Sequence, residues 1–255
     1  MKLRELNTCT FRALRPQIAA TEAQRAARHL ILYAEGGLVQ RHQSDQSLFC
    51  RSVVQQGWLT AGQMSRATRR YHLGMTRDGG VIFWQLGPFG DLLDGKVMYY
   101  RADGHRDHSH APTWVSSELK RFYGYEFQAI HGLFGLHLLA SSQTFTATVA
   151  VVEAEKTAVI MSEVLPQYVW VATGGLEELT PEKLFPLRGR QTVLFPDTDP
   201  QGSTYARWYE QAHRAKRLYG QHIAVSSLLE LRATAVQKRR KIDLVDFLFD
   251  ASTGK

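Results

Sequence analysis

The sequence is poor in cysteine and contains no long apolar segment. Cys9 and Cys50 are its only cysteines. Two isolated cysteines cannot supply the paired ligands of a zinc ribbon, so we expect plain thiols. No apolar run reaches the length of about eighteen residues that a membrane span needs, so we expect no membrane contact. The first residues carry charges with no apolar core behind them, which predicts a protein without a secretory signal, located in the cytoplasm.

Acidic residues are also outnumbered: 24 Asp and Glu stand against 31 Lys and Arg, which gives a formal net charge of +7. A basic balance favours a polyanionic partner such as nucleic acid, although a mildly basic enzyme without such a partner has the same balance. The length of 255 residues suits one large domain or two small ones.

The N-terminal part of the chain is helical in pattern. Apolar residues at helical spacing predict a helix from Pro16 to Leu38 that ends at Gly36-Gly37. Gln46 to Ala67 predicts a second helical stretch, interrupted at Gly57-Trp58 and at Gly62.

A β-rich unit comes next. Val81–Leu86 and Lys96–Tyr100 are aromatic and β-branched, and turn residues such as Asp94-Gly95 flank them, which predicts antiparallel strands. Basic residues gather here and alternate with aromatic ones: Arg69, Arg70, Lys96, Arg101, Arg106, Lys120 and Arg121, with Tyr71, Trp84, Tyr99, Tyr100 and Tyr123. This combination is typical of surfaces that bind single-stranded nucleic acid. The alternative is aromatic side chains that face inward and ordinary surface charges.

Three histidines, His105, His108 and His110, lie close together in the sequence. They suggest a metal cluster, but a flexible loop is the interpretation we favour. Near the C-terminus, we expect Asp243 and Asp246 to cap and anchor a final helix.

From Thr148 onward strands and helices alternate. The predicted strands are Thr148–Val152, Tyr168–Ala172, Gln191–Phe195 and His222–Val225, and the predicted helices are Lys156–Val164 and Gly202–Tyr219. Continuous apolar strands separated by helices predict a parallel sheet covered on both faces.

Acidic residues come directly after two of these strands, Glu153 after the first and Asp197 and Asp199 after the third. Since the carboxyl ends of parallel strands share one edge of a sheet, we expect the three carboxylates to converge and to bind Mg²⁺ or Mn²⁺. Glycines at this edge allow close approach of the backbone: Gly174, Gly175 and Gly202. Taken singly, the Asp197–Gly202 segment is also a common turn, with Asp199 as a possible helix cap.

These segments resemble the toprim domains of plasmid and phage primases. The likeness rests on Val151–Ala158, on Thr173-Gly174-Gly175 and on Leu187–Gly202, with a similar closing segment at Lys241–Leu248. The upstream unit from Tyr71 to Tyr100 resembles the β-rich region that precedes their toprim domain. The closest likeness is to primase-like proteins, many uncharacterised, of bacterial plasmids and conjugative elements.

The resemblance implies roles for matching residues. Glu153 would be a general acid/base or a metal ligand, Asp197 and Asp199 would hold the metal, and Lys156 would contact phosphate. Two positions depart from the family pattern: Ala154 replaces a glycine, and Thr157 stands where many members have an acidic residue. The zinc-binding module of many primases is missing, so a separate one, or a replicative helicase, is an expected partner.

The sequence therefore predicts an α/β protein with a toprim-type parallel sheet flanked by helices. We expect a helical N-terminal region over residues 1–68, a β-rich basic unit over 69–143 and the toprim domain with its helical tail over 144–255. The leading hypothesis for function is primase-like, metal-dependent nucleotidyl transfer on single-stranded DNA, with nucleotides as substrates, in plasmid or mobile-element replication. A metal-dependent nuclease and a non-catalytic module that binds single-stranded DNA or a replication partner remain alternatives.

Overall fold

The chain divides into two compact units, residues 1–132 and 133–255. The computed structural model describes residues 36–123, 131–141, 144–175 and 178–249. Most of the predicted helix from Pro16 to Leu38, together with Cys9, lies outside the described residues. The division into three regions stays a prediction. Among the described residues, no helix combines the length and the apolar character needed to cross a bilayer.

Helices open the described part of the first unit: α1 (Gly36–His42), α2 (Leu48–Gln55) and α3 (Ala61–Tyr71). Gly36-Gly37, expected to end a helix, are themselves helical. The stretch from Gln46 to Ala67 is split as expected at Gly57, but Gly62 lies inside α3. Thr60 explains this, because its hydroxyl accepts from the Gln63 N–H while the Gln63 side chain accepts from Thr60, a capping box that begins α3 ahead of the glycine.

An antiparallel sheet with the order β1-β2-β3-β4 comes after these helices. Its strands are β1 (Gly74–Met75), β2 (Val81–Leu86), β3 (Leu92–Met98) and β4 (Thr113–Trp114), and α4 (Val115–Tyr123) comes directly after it. The prediction of β2 is confirmed.

The predicted start of β3 at Lys96 was wrong, because Asp94-Gly95 lies within the strand instead of forming a turn. The Asp94 carboxylate is buried and accepts from the Gly95 N–H (2.7 Å) and from the N–H and hydroxyl of Ser116. A side chain at Gly95 would meet the Trp84 ring at 2.6 Å, so this glycine is required by packing and not by a turn.

The second unit contains a parallel sheet with the strand order β6-β5-β7-β8. The strands are β5 (Val149–Val152), β6 (Val169–Ala172), β7 (Thr192–Leu194) and β8 (Ile223–Val225), which confirms the four strands expected from the sequence. Between them lie α5 (Glu155–Val164), α6 (Pro181–Leu184) and α7 (Ser203–Tyr219), and the described chain ends with α8 (Leu228–Arg232), α9 (Ala235–Arg240) and α10 (Leu244–Phe249).

Successive side chains along each strand point to opposite faces of this sheet, so apolar residues are buried on both faces. Val149 and Val151 point to the face where Trp208 of α7 is fully buried with them. Trp170 of β6 is also fully buried, and its indole donates to the Leu165 carbonyl at the end of α5. The predicted α/β class, a parallel sheet flanked by helices, is confirmed.

Candidate metal centre

The carboxyl edge of the parallel sheet gathers acidic side chains from three segments. Glu153 lies directly after β5, and Asp197 lies after β7, the neighbouring strand. Both side chains are half-buried. Burial raises the pKa of Asp197 well above its ordinary value, and the carboxylate of Glu153 is the largest electrostatic contribution in the same direction. The carboxylates of Glu153 and Asp197, two of the three predicted site residues, therefore act on each other electrostatically.

The third segment is the start of α10, whose aspartates the sequence had assigned to capping. The Thr198 N–H donates to the Ile242 carbonyl (3.1 Å), which brings Asp243 beside Asp197. The carboxylates of Asp243 and Asp246 both raise the pKa of Asp197. The Asp246 N–H also donates to Asp243 Oδ1 at 2.8 Å, so the capping role is present as well. The signal that could have placed them here was the acidic pair in the closing segment, Lys241–Leu248.

Lys156 contributes the positive charge of this cluster. Its Nζ lies 3.1 Å from Asp243 Oδ2 and 3.7 Å from Asp246 Oδ1, and its side chain is 9% exposed. Burial alone would lower the pKa of Lys156, but the two aspartates outweigh burial and raise it. For Asp243 the directions are reversed: burial alone would raise its pKa. The charge of Lys156 and hydrogen bonds from Asp246 and Thr157 outweigh burial and lower the pKa. The cluster is therefore held together by an internal ion pair.

Thr157, one of the two departures from the primase pattern, belongs to the same cluster. Its side chain is fully buried, and its hydroxyl donates to Asp243 Oδ2 at 2.7 Å. An acidic residue at this position would place a second carboxylate against Asp243. The threonine supplies a hydrogen-bond donor instead, which stabilises the ionised Asp243.

Asp199, the remaining predicted metal ligand, accepts hydrogen bonds from the start of α7. Its Oδ1 accepts from the N–H groups of Gln201 (2.9 Å) and Ser203 (3.2 Å), and its Oδ2 accepts from the Thr204 N–H (2.7 Å). Burial would raise the pKa of Asp199, but these hydrogen bonds prevail and lower it. This carboxylate accepts from the first two N–H groups of α7, whose N-cap residue is Gly202, so it satisfies the helix end from three residues upstream.

The glycines of the site have separate roles. Gly174 donates its N–H to the Glu153 carbonyl at 2.9 Å and, with Thr173, fixes the backbone that carries Glu153. The Thr173 hydroxyl also donates to the Gly175 carbonyl. Gly202 has a φ of 69° directly before α7, a conformation that glycine adopts without strain.

The donor set of this edge suits a divalent cation chemically. Three carboxylates, those of Asp197, Asp243 and Asp246, act on the Lys156 ammonium, and the Glu153 carboxylate acts on Asp197. Carboxylate oxygens are the ligands that Mg²⁺ prefers. As these side chains are arranged, no three His, Cys, Asp or Glu in the described part of the chain converge closely enough to hold an ion. Lys156 lies where two of the aspartates meet.

In the first unit the predicted basic and aromatic surface is only partly exposed. Tyr71, Trp84 and Tyr100 are at most 5% exposed, so the expectation that they stack on bases is wrong: their rings belong to the core. Lys96 is also buried, and Arg70 is half-buried. Arg106 is likewise half-buried. The predicted contacts that are exposed are Arg69, Arg101, Lys120 and Arg121.

The histidine segment is a folded loop. His110 stacks on Tyr99 with ring centroids 4.5 Å apart, and it contacts the Asp107 carboxylate at 2.9 Å. His105 packs edge-on against Trp58. These contacts give His105 and His110 partners within the protein.

A family model described as a domain of unknown function, DUF6371, matches residues 47–198, more than half of the chain. The chain belongs to the DUF6371 family. The match includes Glu153 and Asp197 and stops before Asp243 and Asp246. No curated protein matches the sequence significantly.

Solved structures show what this DUF6371 chain is similar to in fold. A DnaG primase catalytic domain bound to single-stranded DNA has a TM-score of 0.55 at 13% identity, over 90% of this chain and 83% of that one. A DNA primase domain from Pseudomonas aeruginosa has a TM-score of 0.52 at 14% identity, over 80% and 76%. A DnaG catalytic core has a TM-score of 0.51 at 15% identity, over 86% and 83%. At these identities the likeness establishes the fold of this DUF6371 member.

Proposed function

We propose that the protein is a primase-like nucleotidyltransferase that uses Mg²⁺ or Mn²⁺ and extends a strand on single-stranded DNA. The observation that carries the proposal is the acidic cluster of Glu153, Asp197, Asp243 and Asp246 at the carboxyl edge of the sheet, where α/β folds bind their ligands. The similarity in fold to primase catalytic domains supports it.

Glu153 and Asp197 would hold the metal with Asp243 or Asp246 as a further ligand, which requires these side chains to come closer together than they lie here. Asp199, the third predicted ligand, would support the site by holding the start of α7. When bound, the ion would neutralise charge on the nucleotide phosphates, where the strand's hydroxyl bonds to the α-phosphorus and the α–β phosphoanhydride bond breaks to release pyrophosphate. Where Glu153, directly after β5, does not bind the metal, it would instead accept the proton of the attacking hydroxyl. Lys156 would hold Asp243 and Asp246 in place and reduce the repulsion between the cluster and the phosphates.

The template would bind through exposed basic residues of the first unit, Arg69, Arg101, Lys120 and Arg121, with Arg70 beside them. One of the similar primase catalytic domains is bound to single-stranded DNA. A basic surface of this kind neutralises phosphates, so binding should weaken as salt is raised. The resemblance to plasmid primases supports a place in plasmid or mobile-element replication in the cytoplasm, with a helicase or a zinc-binding module as partner.

The test is nucleotide incorporation by the purified chain on a primer-free single-stranded template, with Mg²⁺ or Mn²⁺. We expect Glu153→Gln and Asp197→Asn to lower incorporation at least about 100-fold, since even groups behind metal ligands contribute about 10–100-fold. Glu210→Gln is the matched control, because this exposed carboxylate pairs with Arg217 and lies outside the cluster. Cleavage of the labelled template without incorporation would replace transfer with nuclease activity.

One observation favours a second candidate, a non-catalytic module that binds single-stranded DNA. The Lys156 ammonium already pairs with Asp243 and Asp246 and offsets part of their charge, so the cluster has a counter-ion of its own. For such a module we expect template binding that is independent of Mg²⁺, and neither incorporation nor cleavage. Incorporation that depends on Asp197 excludes it.

A further inference from the structure

The amino edge of the parallel sheet, opposite the acidic cluster, contains a second cleft. One residue directly before each strand lines it: Thr148, Tyr168, Gln191 and His222. The cavity has a volume of about 640 Å³ and is closed on one side by α7. This volume falls within the range of about 300–1,000 Å³ that is usual for small-molecule and cofactor sites.

A smaller cavity of about 320 Å³ adjoins it and shares four lining residues, Gln191, Gln221, His222 and Ile223. The cationic side chains that line the pair are Lys216 in the larger cavity and Arg188 and Arg190 in the smaller. None of the described residues that line either cavity is acidic. A cleft with cationic and no anionic groups favours an anionic ligand.

The three cations are not equally available. Arg190 donates to the backbone carbonyls of Thr144 and Leu139, so its guanidinium is committed to the fold. Arg188 lies over the Phe185 ring at 4.3 Å. Lys216, in the last turn of α7, is exposed. Lys216 is therefore the cation best placed to meet an incoming anion.

Aromatic side chains give the cleft a flat apolar surface. Tyr209 is 49% exposed, although its ring packs against His213 with centroids 4.4 Å apart and against Tyr205 at 6.2 Å. Tyr168 also lines the cleft, but it is half-buried and its ring packs edge-on against Trp170 and Phe195. An exposed tyrosine next to a basic group, such as Tyr209 near Lys216, forms a stacking surface for a planar ring, and base–aromatic stacking contributes about 1–3 kcal/mol per base.

Gln221 adds a directional group. Its side chain is 5% exposed, and its Nε2 donates to the Leu184 carbonyl at 2.9 Å, which fixes the orientation of the amide. Its Oε1 is a buried acceptor with no donor in the protein. A buried acceptor of this kind costs free energy unless a ligand or a water donates to it. An exocyclic amino group of a nucleobase is such a donor.

We propose that this amino-edge cleft binds a nucleotide without a metal ion, separately from the acidic cluster. The base stacks on Tyr209, an amino group of the base donates to Gln221 Oε1, and the phosphates lie beside Lys216. The contrast in charge with the opposite edge gives the two sites different requirements, since only the carboxyl edge needs a cation to receive phosphates.

The experiment is titration calorimetry of the full chain with ATP in the presence of EDTA, which removes any metal-dependent binding at the acidic cluster. We expect ATP to bind, and Tyr209→Ala and Lys216→Glu each to weaken binding roughly tenfold, which corresponds to about 1.4 kcal/mol. Arg214→Glu is the matched control: it makes the same change of charge on the exposed surface of α7 but does not line the cleft. It should bind ATP as the unmodified chain does.

Adenosine and inorganic phosphate are titrated in the same way to separate recognition of the base from recognition of the anion. Adenosine should lose affinity in Tyr209→Ala, and phosphate in Lys216→Glu. The proposal is overturned if ATP does not bind in EDTA, if Arg214→Glu weakens it as much as Lys216→Glu, or if Asp197→Asn removes binding while both cleft variants keep it. Because EDTA abolishes metal-dependent transfer, failure of the transferase proposal would not affect this result.

Discussion

The two edges of the parallel sheet differ in whether their charged side chains are paired within the protein or exposed in a cleft. At the carboxyl edge, Asp197 and Asp243 lie with other carboxylates around the enclosed ammonium of Lys156. At the amino edge, Lys216 and the rings of Tyr209 and His213 face an open cleft lined by no described acid. The same helix spans both edges, with Asp199 capping its N-terminus and Lys216 in its last turn, as the helix dipole favours. The enclosed edge is therefore held by pairing, whereas the open edge leaves its charges available to a ligand.

The largest effect that tests this contrast is expected from Lys156→Ala. It leaves buried carboxylates without their partner, and breaking a buried ion pair in this way costs about 3–5 kcal/mol. We expect the free energy of unfolding, measured by urea denaturation at neutral pH, to fall by about that amount.

Addition of MgCl₂ tests whether the carboxylates left without a partner in Lys156→Ala bind a metal ion. If the carboxylates bind the ion, Mg²⁺ should stabilise Lys156→Ala more than the unmodified chain, since a ligand that binds the folded state raises its stability. An unfolding free energy unchanged by the substitution would contradict the enclosed ion pair. A variant that is destabilised but gains no stability from Mg²⁺ would support the ion pair and contradict metal binding by these carboxylates.

The strands could be predicted from the sequence because their information is local. Apolar runs bounded by turn residues gave all four parallel strands, and the position of Glu153 and Asp197 after β5 and β7 could be inferred from parallel pairing. The edge at which chemistry was expected is therefore where the acidic cluster lies.

The partners of these residues could not be predicted, because they depend on packing between distant segments. Lys156 was expected to contact phosphate, but the fold brings Asp243 and Asp246 against it from the end of the chain. Gly95 was predicted to form a turn, because the sequence alone does not distinguish a glycine required by close packing, here against the Trp84 ring, from a glycine required by a turn. The amino-edge cleft has no motif, because it is assembled from single residues that precede separate strands together with residues of α7 and β8.

A smaller effect is expected at the helix end that links the two edges. Asp199→Ala removes the acceptor of the Gln201, Ser203 and Thr204 N–H groups, and loss of such a cap costs about 0.5–2 kcal/mol. The folded pKa of Asp199 is lowered, so its contribution should be complete above the unfolded value of about 3.9 and disappear as the pH falls toward the folded value.

Urea denaturation of both proteins from neutral to acidic pH measures this difference. Asp199→Asn, which keeps one acceptor oxygen, is the control and should lose less stability than the alanine variant. An alanine variant as stable as the unmodified chain at neutral pH would show that Asp199 does not stabilise this helix end.

The smallest effect on stability is expected from Lys216→Ala, the counterpart of Lys156→Ala at the open edge. Exposed side chains outside special contacts change the free energy of unfolding by less than about 0.5 kcal/mol when replaced. A basic residue that only complements the end of a helix contributes about 0.3–1 kcal/mol. Urea denaturation in the absence of nucleotide should therefore give nearly equal stabilities, and addition of ATP in EDTA should stabilise the unmodified chain more than the variant. If the variant is destabilised by more than about 1 kcal/mol and ATP stabilises both proteins equally, Lys216 serves the helix end and not a ligand, and the two edges differ in charge without differing in function.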